Sequence, residues 1–149
     1  MQLERAFDRR SWHGPNLLGS IRGLSPEQAA WRPGDKRHNI WELIVHAAYW
    51  KYVVHRRLTG GERGSFPFKG SNFFERPEEV SIKALKADVK LLRSVHNGLI
   101  DEVRVFPAGL LGRVVRGGKW TFRETIIGVA AHDLYHAGQI QLLKRLQES

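Results

Sequence analysis

The chain has 149 residues, no cysteine, and 24 Lys and Arg against 15 Asp and Glu, a formal net charge of +9. That length suits one domain, residues 1–149, with a single core. Without cysteine there are no disulfides, thiolate metal sites or cysteine nucleophile, so any metal must be held by His and carboxylates.

The opening stretch, MQLERAFDRRSW, is charged and lacks the apolar core of a signal peptide. No apolar run approaches the roughly 20 residues needed to span a bilayer. A cytoplasmic protein with no membrane partner is the expectation. The basic residues are scattered in pairs, such as Arg9-Arg10, Lys36-Arg37, Arg56-Arg57 and Lys144-Arg145, with no block or basic helix. Scattered charge reads chiefly as a solvated surface, which would also suit anionic small substrates, more than as a nucleic-acid interface.

Leu3 to Ile21 reads as a first helix, with Gly14-Pro15 predicting a kink near His13. Ser25-Pro26-Glu27-Gln28 is a second start signal. Ser25 can cap, Pro26 suits the first helical position, and Gln28 completes a capping box. That helix ends at Trp31-Arg32-Pro33. Asn39 to about Leu58 is a long helix, again with a capping box through Glu42. Ile40, Leu43, Ile44, Ala47, Trp50, Val54 and Leu58 give it a wide apolar face that also carries His46. A buried His among aliphatics needs a partner. His55 falls off that line, toward the surface.

Gly60 to Arg76 is a Gly-rich connection with four phenylalanines, expected to pack down on the core. Pro77 is expected to open a third long helix, running to about Val105 with apolar residues every three or four positions. His96 in this helix is read as packing rather than as a ligand. Phe106 to Trp120 is irregular, with a small hairpin predicted around Gly117-Gly118. Thr121-Phe122-Arg123-Glu124 is a capping box that launches a last helix of about 25 residues, roughly 37 Å long.

That last helix carries His132-x-x-x-His136. Residues four apart lie about 40° apart around a helix, so both imidazoles point the same way and can share one metal ion. Thr125, Val129, His132, His136, Gln139, Ile140 and Leu143 form one stripe. Four amphipathic helices make an all-α four-helix bundle, in whose core His46 would meet His132 and His136. The competing account is that these histidines are core residues paired with carbonyls or carboxylates. Three neutral imidazoles would leave a divalent ion with open positions, lowering the pKa of a bound water or thiol. Imidazole ligands suit Zn, Ni, Fe or Cu. Gln139 is a candidate to orient a ligand or line the pocket. Asp133 could do the same or pair with a cation on another helix. Trp50, Tyr49, His13 and Trp12 are candidate pocket lining, and Gly138 would allow close helix approach. No general base and no catalytic residue stands out.

The helix HNIWELIVHAAYWKYVVHRRL (His38 to Leu58), the segment LSPEQAAWRP (Leu24 to Pro33) and the run AAHDLYHAGQIQLL (Ala130 to Leu143) resemble the DinB/YfiT-like metalloprotein superfamily, over nearly the whole chain. The resemblance implies a four-helix bundle in up-down-down-up order and a divalent metal held by three histidines, falling here on His46, His132 and His136. Zn or Ni is the expected ion, with Fe or Mn as further candidates. It also implies a small-molecule substrate and activities similar to thiol-dependent S-transferases, using low-molecular-weight thiols such as bacillithiol, mycothiol or glutathione, or to metal-dependent hydrolases. It implies no DNA binding. Two other readings stay open: a non-catalytic bundle with a structural metal or none, for instance a homodimer, and a basic nucleic-acid binder.

Overall fold

The computed structural model describes residues 1–149 and is all helical. Six α-helices follow in order: α1 (Gln2–Phe7), α2 (Leu17–Ile21), α3 (Pro26–Ala30), α4 (Ile40–Thr59), α5 (Ile82–Val105) and α6 (Phe122–Gln147). No helix is long and apolar enough to cross a membrane.

The bundle has four positions, and side-chain pairs fix their directions. Trp41 at the start of α4 donates to Asp88 near the start of α5, at 2.7 Å, while Val54 and Leu58 share a cluster with Leu99 and Ile100. Helices α4 and α5 are therefore parallel, which demands the long connection between them. Helix α6 runs antiparallel to α4: Val54 and Leu58 cluster with Val129 and Ala130, whereas Leu43 and His46 border one groove with His136, Gln139 and Leu143. Helices α1 and α2 occupy the remaining position in tandem, alongside α6. Leu3 and Ala6 cluster with Val129 and Ala130, and Lys144 Nζ donates to the Ser20 carbonyl at 3.2 Å. The order is up-down-down-up.

The first position departs from expectation. One kinked helix over Leu3 to Ile21 was predicted, but residues 8–16 break it completely. Gly14 takes φ +101, a left-handed turn suited to glycine, and Pro15 has no N–H for a helical ladder. Asn16 then caps α2, accepting from Gly19 N at 2.8 Å. His13 and Trp12 fall in this break and are exposed, Trp12 fully.

The other start signals behave as their chemistry requires. Ser25, Asn39 and Thr121 each form a capping box, with Gln28, Glu42 and Glu124. Helix α5 begins later than Pro77 because Ser81 supplies its cap, accepting from Ala84 N. The segment before it is tied to the start of α4 instead. Arg76 pairs with Asp88 at 2.7 Å, and its carbonyl accepts from Asn39 Nδ2 at 2.8 Å.

Two cores result. The larger gathers Phe7, Leu17, Trp41, Ile44, Leu92 and Ile140 among others; the smaller lies around Leu3, Val54, Leu99 and Val129. The connection between α4 and α5 packs down as its aromatics suggested. Phe74 is buried and Phe66, Phe68 and Phe73 lie against the larger core. Before α6, a single antiparallel bridge joins Val114 to Thr121, the remnant of the predicted hairpin. His96 is buried against Phe7, with ring centroids 3.6 Å apart, and takes no part in the histidine cluster.

Candidate metal centre

Helix α4 delivers His46 and helix α6 delivers His132 and His136, and the three ring nitrogens available as ligands all lie within 4.8 Å of one another. Nε2 of His132 sits 3.0 Å from Nε2 of His46 and 3.0 Å from Nε2 of His136. Donors held about 2.0–2.1 Å from one tetrahedral ion lie roughly 3.3 Å apart, so the observed spacing fits such a centre.

The far side of each ring decides whether those nitrogens present lone pairs. His46 Nδ1 lies 2.8 Å from the Asn72 carbonyl, which can only accept. The proton therefore sits on Nδ1 and Nε2 is left bare. His136 Nδ1 lies 2.7 Å from Gln139 Oε1, one turn along α6, with the same consequence. His132 Nδ1 is buried and has no partner. Two lone pairs directed at a third nitrogen repel one another, and a shared cation relieves that repulsion. The donor set fits a transition metal that favours imidazole.

Electrostatics keeps the cluster neutral. Burial drives the His46 imidazole down to about 4, and the Asn72 carbonyl only partly opposes it. Burial, then the neighbouring histidines, take His132 to about 3. His136 is also lowered, mainly by burial. Near pH 7 all three rings are unprotonated, the form that binds metal.

Phe73 backs the site. Its ring stacks on His46 at 3.9 Å and on His38 at 3.7 Å, between the two imidazoles. His38 Nδ1 is in turn 2.9 Å from Glu42, whose other partner is Arg32. Burial alone would raise the Glu42 carboxyl, but hydrogen bonds from Arg32 and His38 hold it below its usual range.

Two grooves flank the cluster. One of about 650 Å³ is bordered by Arg37, His38, Phe73, Tyr135, Leu142 and all three cluster histidines. The other, about 420 Å³, runs past His132 between Arg57, Trp120 and Ile127. Trp50 stands at both, its indole N–H donating to Asn72 Oδ1 at 2.9 Å.

The other sequence candidates are distributed as follows. Gln139 touches His136 and borders the wider groove. Asp133 turns the opposite way and pairs with Lys51 at 2.6 Å, both side chains fully buried. Tyr49 packs edge-on against Phe66 and Phe74 and borders neither groove. His13 borders neither and is exposed. Gly138 is also exposed, and a Cβ there would meet nothing within 4 Å, so it serves no close approach.

Asn72, Phe73 and His38 were not singled out from the sequence. Asn72 has φ 68, a left-handed conformation that asparagine tolerates better than most residues. An asparagine in a Gly-rich segment hints at such a turn, but nothing local reveals that its carbonyl reaches His46, 26 positions earlier.

The family model described as the DinB superfamily matches residues 10–140. Searches of curated proteins and of solved structures return no match to the chain.

Proposed function

Since the chain belongs to the DinB superfamily, we propose that it is a metal-dependent enzyme acting on a small molecule, with one divalent ion held by His46, His132 and His136. The observation that carries this is the convergence of three Nε2 atoms, two of them on rings oriented from behind, His46 by Asn72 and His136 by Gln139. Zn or Ni is the proposed ion, with Fe or Mn as further candidates, and the reaction is thiol-dependent S-transfer or hydrolysis.

A divalent ion there would act as a Lewis acid toward a thiol, water or substrate oxygen reaching it. The chain supplies the rest. Three neutral imidazoles bring no negative charge to offset that of the ion. The ligand group contains no carboxylate, and the nearest groove-lining acid, Glu124, is committed to the Thr121 cap. The open side therefore faces the two grooves. Trp50 and Phe73 wall it with apolar surface, while Arg37 and Arg57 set positive charge at the groove margins. His38, held by Glu42, borders the wider groove and can exchange a proton with a molecule lying there.

The test is a cobalt-substituted protein made without a histidine tag. A low-molecular-weight thiol should shift the visible spectrum, because an open position lets the sulfur reach the metal. A spectrum that neither thiol nor small anions can move would mean a closed, structural centre.

A further inference from the structure

A cavity of about 730 Å³ lies between the C-terminal half of α4 and the segment 63–71, and none of the three cluster histidines borders it. Its walls carry Arg56, Arg57, Arg63 and Lys69 and no acidic residue. None of these four cations takes part in a salt bridge. Arg32, Arg76 and Arg104 are instead paired with Glu42, Asp88 and Glu4. Arg56 Nε is, moreover, shut off from solvent with no acceptor. The cavity's other walls are aromatic, formed by Tyr49, Tyr52, Phe66 and Phe68. The Tyr52 hydroxyl accepts from Ser65 N and Oγ, both at 3.3 Å, which ties the segment down over the cavity.

We propose that this cavity binds a small organic anion, its phosphate or carboxylate gripped by Arg56, Arg57, Arg63 and Lys69 and its apolar body packed on Tyr49, Phe66 and Phe68. Guanidinium forks match the paired oxygens of both anions. The volume is that of a small-molecule site. Single-stranded nucleic acid would need an extended channel tracking several phosphates. The grip itself needs no metal. Trp50 and Arg57 border both this cavity and the groove beside His132. The anionic end, held at Arg57, is thus the part of the bound molecule nearest the histidine cluster, and any role there rests on the metal-dependent reading above.

Calorimetric titration of metal-stripped protein with 1-naphthyl phosphate tests the site. One molecule should bind per chain, and inorganic phosphate should compete but bind more weakly, lacking an apolar body. 1-Naphthoate run in parallel tells whether carboxylate or phosphate is preferred. Affinity should fall about tenfold or more in the paired exposed variant Arg63→Met/Lys69→Met, and again in Arg56→Met. It should be unchanged in Lys86→Met on the outer face of α5. The proposal is overturned if neither naphthyl anion binds, if Arg63→Met/Lys69→Met binds as the parent does, or if a short single-stranded oligonucleotide binds more tightly than naphthyl phosphate. Such a failure would leave metal uptake at the histidines untouched, and loss of metal uptake would leave anion binding untouched.

Discussion

At His136 the difference between a ligand and a packed core residue is one hydrogen bond. Gln139 takes the Nδ1 proton and leaves Nε2 facing two other imidazoles. His132→Ala should therefore abolish stoichiometric metal, whereas Gln139→Ala should weaken it by about 10- to 100-fold at most, both read by competition with a chromophoric chelator. His96 is the control for burial without ligation. It too is pushed down, to about 3, by burial first and then by the Lys51 charge, and its Nδ1 has no partner. A histidine whose folded pKa lies below its unfolded value of about 6.5 binds more protons unfolded. Its neutral form thus supports folding above about 6.5, and that support is lost progressively down to about 3. Metal-free protein should lose stability on acidification through this window. His96→Leu should flatten the loss in denaturant melts across pH while leaving metal stoichiometry intact.

Between elements, the register of α4 against α6 determines whether His46 meets His132 at all, and a buried ion pair sits at that seam. Lys51 and Asp133 are 2.6 Å apart with no exposed side-chain surface, and Lys51 also lies over the Phe7 ring at 4.8 Å. Burial pushes Lys51 down and Asp133 up to about 6, each toward neutrality, with their mutual attraction opposing both shifts. Such a pair adds little net stability, yet removing one partner strands a charge. Lys51→Ala should cost about 3–5 kcal/mol by chemical denaturation, and Lys51→Met/Asp133→Leu should recover most of it. Were the single variant near neutral, the pair would not be what holds the seam. The capping boxes at Ser25, Asn39 and Thr121 were legible in the sequence because each involves residues three apart. The start of α5 was not: Pro77 was expected to open it, but Ser81 caps the helix while Arg76 is tied to Asp88 and Asn39. The break in the first helix was visible as Gly14-Pro15, but its extent depended on Asn16 capping a new helix.

For the whole molecule, helical periodicity specified the bundle and placed three histidines in its interior. It could not show the turn at Asn72 or the His38–Phe73–His46 stack, because those contacts join segments far apart in sequence through side chains that carry no local signal. The net charge of +9 likewise did not reveal that some cations are paired structurally while four line one cavity. Duplex DNA should bind weakly and be released near 150 mM salt, since scattered contacts act mainly through counterion release. Sequence-selective binding at that salt would contradict this.

The central claim is that one ion is shared by His46, His132 and His136, and equilibrium dialysis against Zn or Ni followed by elemental analysis tests it most directly. Untagged protein should retain one equivalent at neutral pH, and His46→Ala/His132→Ala/His136→Ala should retain none while keeping a helical far-UV spectrum. No uptake by the parent protein, or equal uptake by the folded triple variant, would contradict it.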